Sequence, residues 1–202
     1  MRGFFKLVFN LISQIVVLPL VVPSWLEKTL IPKQPELVFN ICTNIVALLP
    51  GVPGAFLRRA FYTLSLEKCS PHCHIGFGTI ISHRYAIIDK HAYIGSYALI
   101  GKAHLGEHCL IGSRVSILSG EALHELDENG MWTAYSPDSL VRVTIAKNVW
   151  IGEGARVSAD VGESCMIGAG SVVSSNIKSN IMVAGNPARF VKKLEFDPKN
   201  EG

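Results

Sequence analysis

The five cysteines of this 202-residue chain include no Cys-x-x-Cys pair, and their odd number makes no even disulfide framework. That usage favours a reducing compartment over a disulfide-stapled secreted scaffold. Strong charge of one sign is also lacking. The formal net charge is +3, and no basic patch with interleaved aromatic residues occurs, so the composition does not suggest a nucleic-acid binder. No small-residue cleavage site precedes Pro23, which argues against a removable secretory signal. A phosphate-cradling glycine loop is missing too, because the glycines recur at a fixed spacing of another kind.

What is present is apolar. Hydrophobic residues make up 49% of the chain and mean hydropathy is +0.31, with the excess near the N-terminus. The length fits one domain plus an appendage. Residues 1–68 read as a hydrophobic helical region. Gly3–Val22 is mostly apolar but is interrupted by Lys6, Asn10, Ser13 and Gln14, which weighs against a clean membrane span. As a helix it crowds Phe4, Phe5, Val8, Leu11, Ile12 and Ile15 onto one broad face, a pattern suited to the membrane interface. A second apolar stretch, Leu37–Leu49, ends at the breaker cluster Pro50-Gly51-Val52-Pro53-Gly54. Phe56-Leu57-Arg58-Arg59-Ala60-Phe61-Tyr62 reads as a short basic, aromatic helix able to rest on anionic headgroups. The competing reading packs these helices on the rest of the chain or on a neighbouring subunit.

From Ile75 to Val173 one six-residue phrase repeats: an aliphatic residue, usually Gly, two variable residues, a small residue, then any residue. It reads Ile75-Gly76-Phe77-Gly78-Thr79, Ile94-Gly95-Ser96-Tyr97-Ala98, Leu105-Gly106-Glu107-His108-Cys109 and Ile111-Gly112-Ser113-Arg114-Val115. It resumes as Ile151-Gly152-Glu153-Gly154-Ala155, Val161-Gly162-Glu163-Ser164-Cys165 and Ile167-Gly168-Ala169-Gly170-Ser171. A period of six fits neither an amphipathic helix nor an alternating strand. It fits a three-sided coil in a solenoid, where stacked coils share a core that no single coil buries alone. The aliphatic residue points inward, Gly supplies the dihedrals of a corner, and Thr79, Ala92, Ala98, Cys109, Ala155, Cys165 and Ser171 fill a tight slot.

The phrase stops near Ser119 and returns at Val143–Ile145, so an extruded loop covers about 119–144. Long excursions from a stacked core are usually functional or disordered. This one holds His124, Glu121, Glu125, Asp127, Glu128, Trp132 and Tyr135, with Glu125–Gly130 as a candidate solvated tip. Cys69, His72, Cys73 and His74 have metal-ligand residue types. Four ligands within six residues hardly surround one ion tetrahedrally, and no second cluster exists, so no metal is expected.

From about Cys73 to Leu194 the chain resembles the hexapeptide-repeat acyltransferases. Besides the hexads, the resemblance rests on Asn148-Val149-Trp150-Ile151-Gly152, Ile167-Gly168-Ala169-Gly170-Ser171-Val172-Val173 and Val183-Ala184-Gly185-Asn186-Pro187-Ala188-Arg189. The last segment is similar to a signature of the xenobiotic, sugar and serine acetyltransferase branches. Pro50–Tyr62 is similar to the lead-in of enzymes that acylate cell-surface polysaccharide precursors. The γ-class carbonic anhydrases share the solenoid, but their Gly-His motif is missing here, since Lys102 follows Gly101.

The resemblance implies an all-β, left-handed parallel β-helix over 69–194, with a helical N-terminal extension and a tail at 195–202. It implies acetyl-coenzyme A as donor, a homotrimer and a sugar or glycolipid acceptor. His124 matches the family's catalytic base, with Glu121 or Glu125 as its orienting carboxylate. Ala169 matches a position on the pantetheine arm, and Ser174 and Ser175 match a Thr-Lys pair near the nucleotide, where the Lys is lost. Arg189 and Lys192 match cationic positions at the phosphates. Trp150 and His83 remain candidate acceptor or structural residues. The hydrophobic N-terminus then suits the cytoplasmic face of an inner membrane and a lipid-linked or polysaccharide acceptor. A small-molecule acceptor such as serine, an antibiotic or an amino sugar is the alternative, and a non-catalytic scaffold a third.

Overall fold

The structure, a computed structural model, describes residues 2–31, 36–120, 124–133 and 140–195. Three helices precede the repeats: α1 (Arg2–Leu30), α2 (Leu37–Ala47) and α3 (Gly51–Ser65). The strands that follow are mostly two residues long and form three parallel faces. The first face stacks β1 (Lys68–Cys69), β4 (Ile87–Ile88), β7 (Ala103–Leu105) and β10 (Val143–Ile145). The second stacks β2 (His74–Ile75), β5 (Tyr93–Ile94), β8 (Leu110–Ile111), β11 (Trp150–Ile151), β13 (Met166–Ile167) and β15 (Ile181–Ala184), closed by the antiparallel β16 (Arg189–Lys193). The third stacks β3 (Ile80–Ile81), β6 (Leu99–Ile100), β9 (Ser116–Ile117), β12 (Arg156–Val157) and β14 (Val172–Val173). This is the expected left-handed parallel β-helix, about six turns long.

Register explains the period. Cys69, Ile88, Leu105 and Ile145 pair in one column, continued through single bridges by Val161 and Ile177. Ile75, Ile94, Ile111, Ile151, Ile167 and Val183 form the second column, and Ile81, Ile100, Ile117, Val157 and Val173 the third. Nearly all are fully buried. Each such side chain contributes about 1.5–3 kcal/mol by leaving water, so the column rather than hexad propensity holds the prism together. The small slot is buried as expected at Thr79, Ala92, Ala98, Cys109, Ala155, Cys165 and Ser171. Burial pushes the Cys109 thiol up to about 11, which keeps it a neutral packing group.

The reason for the hexad glycine differs from the expectation. The left-handed backbone falls two positions later, at His91, Tyr97, His108, Arg114, Asn148, Ser164 and Asn180, and at Gly78, Gly154 and Gly170. The glycine after each aliphatic residue is needed instead for close approach of the next coil. A Cβ on Gly95 would lie 2.6 Å from the Ser113 nitrogen, and one on Gly152 would lie 2.5 Å from the Ala169 nitrogen. Backbone on both sides is held by the ladder and cannot yield. Gly152→Ala is therefore expected to destabilise by about 1–3 kcal/mol, as overpacking does, measured by urea unfolding.

The helices pack on the first coils. Helix α1 runs past Pro19 and Pro23 to Leu30, well beyond the Val22 limit read from the sequence. Its last turns are held from outside. Arg84, 4% exposed, bonds Glu27 at 2.6 Å, Glu36 at 2.9 Å and the Ser24 carbonyl at 2.9 Å, and its guanidinium lies over Phe39. Glu27 also accepts the Val38 and Phe39 amides at the start of α2. The side chains of Phe4 and Phe5 lie outside the described residues.

Of the two arginines in the segment read from the sequence as a short basic helix able to rest on headgroups, Arg58 is turned inward. Arg58 is 2% exposed and donates to the carbonyls of Ile75 and Leu49. Arg59 bonds Asn10 of α1 and lies over Phe56. Arg58 thus saturates carbonyls at the helix–solenoid junction, whereas Arg59 ties α3 to α1.

Candidate functional site

The extruded loop leaves the prism at the edge between the third and first faces. Its base is pinned. The Val141 amide donates to the Ser119 carbonyl at 2.9 Å, the Lys102 amide to the Ser119 hydroxyl at 2.8 Å, and the Lys102 ammonium to the Leu140 carbonyl at 3.0 Å. Arg142 then bonds Glu67 at 2.5 Å and the Tyr85 carbonyl at 2.9 Å. Strand β10 consequently pairs with β7 as though the loop did not intervene. An insertion whose ends meet this closely leaves the stacking unstrained.

Residues 124–133 form a small hairpin. Leu126 and Trp132 make an antiparallel bridge, and the Asp127 carboxylate caps the turn by accepting the Asn129 and Met131 amides, each at 2.9 Å. Asp127 therefore has a structural task. Opposite it, the Thr133 amide donates to the Glu125 carbonyl at 2.8 Å, and the Glu125 amide donates to the Thr133 hydroxyl at 3.0 Å.

This hairpin fixes His124. Its Nδ1 lies 3.0 Å from the Thr133 carbonyl oxygen. A carbonyl only accepts, so Nδ1 carries the proton. In the neutral ring Nε2 then holds the free lone pair, on an exposed side chain. Among the described residues the imidazole's hydrogen-bond partner is this backbone carbonyl, whereas Glu121 or Glu125 is the orienting group the resemblance implies. Glu125 joins the hairpin through its backbone, and Glu121 and Tyr135 lie outside the described residues. Thr133 had no sequence signal, because what it contributes to the imidazole is its main-chain oxygen.

The other predicted residues cluster in the last coils. Ala169 follows β13 at the edge between the second and third faces and is exposed. Arg189 starts β16 opposite Ala184, whose Cβ lies against Gly168, so Ala169 and Arg189 share that edge. Lys192 sits further along β16, paired with Met182 on the second face. Ser174 and Ser175 follow β14 at the edge between the third and first faces, the edge from which the His124 loop departs two coils earlier in the stack, after β9. All are exposed, and among the described residues neither Arg189 nor Lys192 pairs with a carboxylate. Within one chain the set is divided: one face of the prism separates the loop edge from the Ala169–Arg189 edge.

The remaining histidines are engaged elsewhere. His83 Nδ1 lies 3.1 Å from Glu36. His104 Nε2 lies 2.8 Å from Asp89. Burial would raise the Asp89 carboxyl, but its bonds to Lys68 and His104 outweigh this and hold it below the usual range. The Cys69 and Cys73 sulfurs are buried, 3.8 Å apart, while His74 stacks on Tyr93 and His72 leans on His91. The two sulfurs therefore meet, while the two imidazoles lie against other rings, and the four side chains form no common ligand group among the described residues. Trp150 is half-exposed on the outer side of the second face, in line with Tyr93 and Leu110.

Comparison with known proteins places this architecture. Residues 142–175 match the family described as the hexapeptide repeat of succinyl-transferase. A serine acetyltransferase of Buchnera aphidicola is 29% identical over 149 residues, covering 73% of this chain and 48% of that protein. The chain spans about half the length of the curated relatives it matches. Among solved structures, a maltose O-acetyltransferase of Clostridium difficile superposes with a TM-score of 0.68 at 21% identity, covering 85% of this chain and 91% of that one. A galactoside acetyltransferase in complex with coenzyme A gives 0.56 at 21% identity, covering 77% and 80%. At these identities the structural likeness concerns the fold. The comparisons thus show a hexapeptide-repeat match over residues 142–175 and the β-helix fold of these solved structures.

Proposed function

We propose that the protein is an acetyl-coenzyme A-dependent O-acetyltransferase acting on a sugar hydroxyl of a polysaccharide or glycolipid precursor, with His124 as general base. The observation that carries the reading is the Nδ1–H bond from His124 to the Thr133 carbonyl. It presents Nε2 as a base on an element extruded from the solenoid, and a neutral alcohol needs such a base to attack a thioester. Nε2 takes the hydroxyl proton as the oxygen bonds to the thioester carbonyl carbon. Backbone amides hold the tetrahedral oxyanion. The C–S bond then breaks, and the coenzyme A sulfur leaves with the proton from the imidazolium.

The donor site of this proposal runs along coil edges. Ala169 leaves room for the pantetheine arm, Ser174 and Ser175 approach the nucleotide, and Arg189 and Lys192 meet the phosphates. Arg supplies a fork and Lys a point charge. Arg189 and Lys192 suit anions because, among the described residues, no carboxylate neutralises them. The division of these residues between two edges supports a site shared by neighbouring copies in a homotrimer, with His124 from one copy facing Arg189 of the next. The apolar helices favour attachment to the cytoplasmic face of the inner membrane, where lipid-linked sugars are found. A soluble acceptor is the second reading, favoured by the names of the serine and maltose relatives.

The test is coenzyme A release from acetyl-coenzyme A against detergent-solubilised lipid-linked oligosaccharide, free sugars and serine. Turnover with a sugar hydroxyl is the expected result. Serine as the preferred acceptor, or no turnover and no calorimetric binding of coenzyme A, overturns it. Arg189→Gln is expected to raise KM for acetyl-coenzyme A about tenfold, the loss of one charge-assisted contact.

A further inference from the structure

An apolar cleft of about 480 Å³ lies between α1 and α3, lined by Phe9, Ile12, Val16, Val52, Phe56 and Leu57 among others. Its size falls in the range of small-molecule sites, about 300–1,000 Å³. Its chemistry is narrower. The hydroxyl on its wall, Ser13, is already bonded to the Phe9 carbonyl at 2.7 Å, so the cleft offers no side-chain hydrogen bond to an occupant. Phe9, Ile12, Val16 and Val52 are each more than half exposed. The exposed apolar surface continues without interruption along α1 through Ile15, Val22 and Trp25.

Helix α1 is long and apolar enough to cross a bilayer. Its inner stripe forbids that course. Ser13, Val17, Val21 and Ser24 are buried, and polar ties run from Asn10 to Arg59, from the Leu20 carbonyl to Cys42, and from Ser24 and Glu27 to Arg84. Crossing would either strip this stripe from its partners or draw the Arg84–Glu27 pair into hydrocarbon. A helix tied down on one side and apolar on the other lies in the plane of the interface. Beside the cleft, the Arg59 guanidinium rests 4.7 Å from the centroid of Phe56, and its bonds go to neutral oxygens of Asn10 and Cys73. Among the described residues no carboxylate meets it.

We infer that the α1–α3 cleft takes one acyl chain of an anionic bilayer lipid, with Arg59 facing the lipid phosphate and α1 lying flat on the membrane. The inference rests on the membrane attachment proposed above and gives it a site. The hydrocarbon matches a cleft without free polar groups, and the phosphate matches a cation without an acidic partner. The helices α1 and α3 would thereby hold the protein at the surface where acceptors carried on lipid are found.

The test floats the full chain with phosphatidylcholine vesicles, with and without phosphatidylglycerol. Tighter binding to the anionic vesicles is expected. Val16→Glu and Val52→Glu, at exposed positions, are each expected to lower vesicle binding about tenfold, as loss of one buried valine does, with Tm unchanged. Arg59→Gln is expected to remove the preference for phosphatidylglycerol, while Arg114→Gln on the solenoid leaves it intact. Equal flotation of wild type and both glutamate variants overturns the cleft but leaves attachment standing, and absence of wild-type flotation overturns both. Retention in membranes after alkaline carbonate extraction assigns α1 to a span. A dimer that Val52→Glu dissociates, without vesicle binding, assigns the face to a second copy. Coenzyme A release with a water-soluble acceptor reports on the proposed chemistry separately, and the two glutamate variants are expected to leave it unchanged.

Discussion

His124→Ala is expected to lower the rate of acetyl transfer by about 10²–10⁴-fold, the range over which a positioned general base acts. Stability should hardly change, because the side chain is exposed and surface substitutions stay within about 0.5 kcal/mol. The loss should fall on kcat, since the imidazole acts on the acceptor proton in the transition state and contributes little to holding the donor. Coenzyme A binding, measured by calorimetry, should survive. His124→Gln is the sharper control. It keeps a side-chain N–H able to reach the Thr133 carbonyl but supplies no base, so it should be as inactive as alanine. Turnover near wild type in either variant removes His124 from the mechanism, whatever the solenoid's relatives do.

The prism was readable because one requirement acts locally and repeatedly. Each hexad must place an aliphatic residue in a column, so Ile75, Ile94, Ile111, Ile151 and Ile167 announce the second face before any pairing is known. The glycine at the next position is equally visible, but its cause is not. Whether Gly152 turns a corner or makes room for Ala169 of the next coil depends on distance, and spacing along the chain carries no distance. The same limit applies to the helices. A segment such as Phe56–Tyr62 looks alike whether a given guanidinium points outward or reaches a buried carbonyl, and the Ile75 carbonyl that Arg58 reaches lies 17 residues away in sequence. The loop that holds His124 shows as a break in a regular pattern, and it is the resemblance to the hexapeptide-repeat acyltransferases that proposes this histidine as the base. The group that orients it is a main-chain oxygen, and no residue type encodes that.

Arg84→Met is expected to cost about 3–5 kcal/mol, the largest stability loss of any single change considered, because it leaves buried carboxylates without their cation. Glu27 and Glu36 have side chains only 9% and 14% exposed, and both close on the same guanidinium. For a chain of this length the loss corresponds to a fall in Tm of about 10 °C. The damage should spread along α1. Glu27 joins the end of α1 to the start of α2 by accepting the Val38 and Phe39 amides, and Arg84 holds Ser24 and Glu27 against the first coil. Losing the cation therefore loosens the C-terminal half of α1 and the start of α2, while the columns from Leu105 onward keep their stacking. Amide exchange should show this asymmetry, with protection lost at Val38 and Phe39 before it is lost at Ile111 or Ile151. Combining Arg84→Met with Glu27→Gln and Glu36→Gln removes the uncompensated charge and retains acceptors for the α2 amides. The triple variant is thus expected to recover most of the stability. If it is no more stable than Arg84→Met alone, the stacking of the guanidinium on Phe39, rather than the charge pairing, is what fastens the helices to the solenoid.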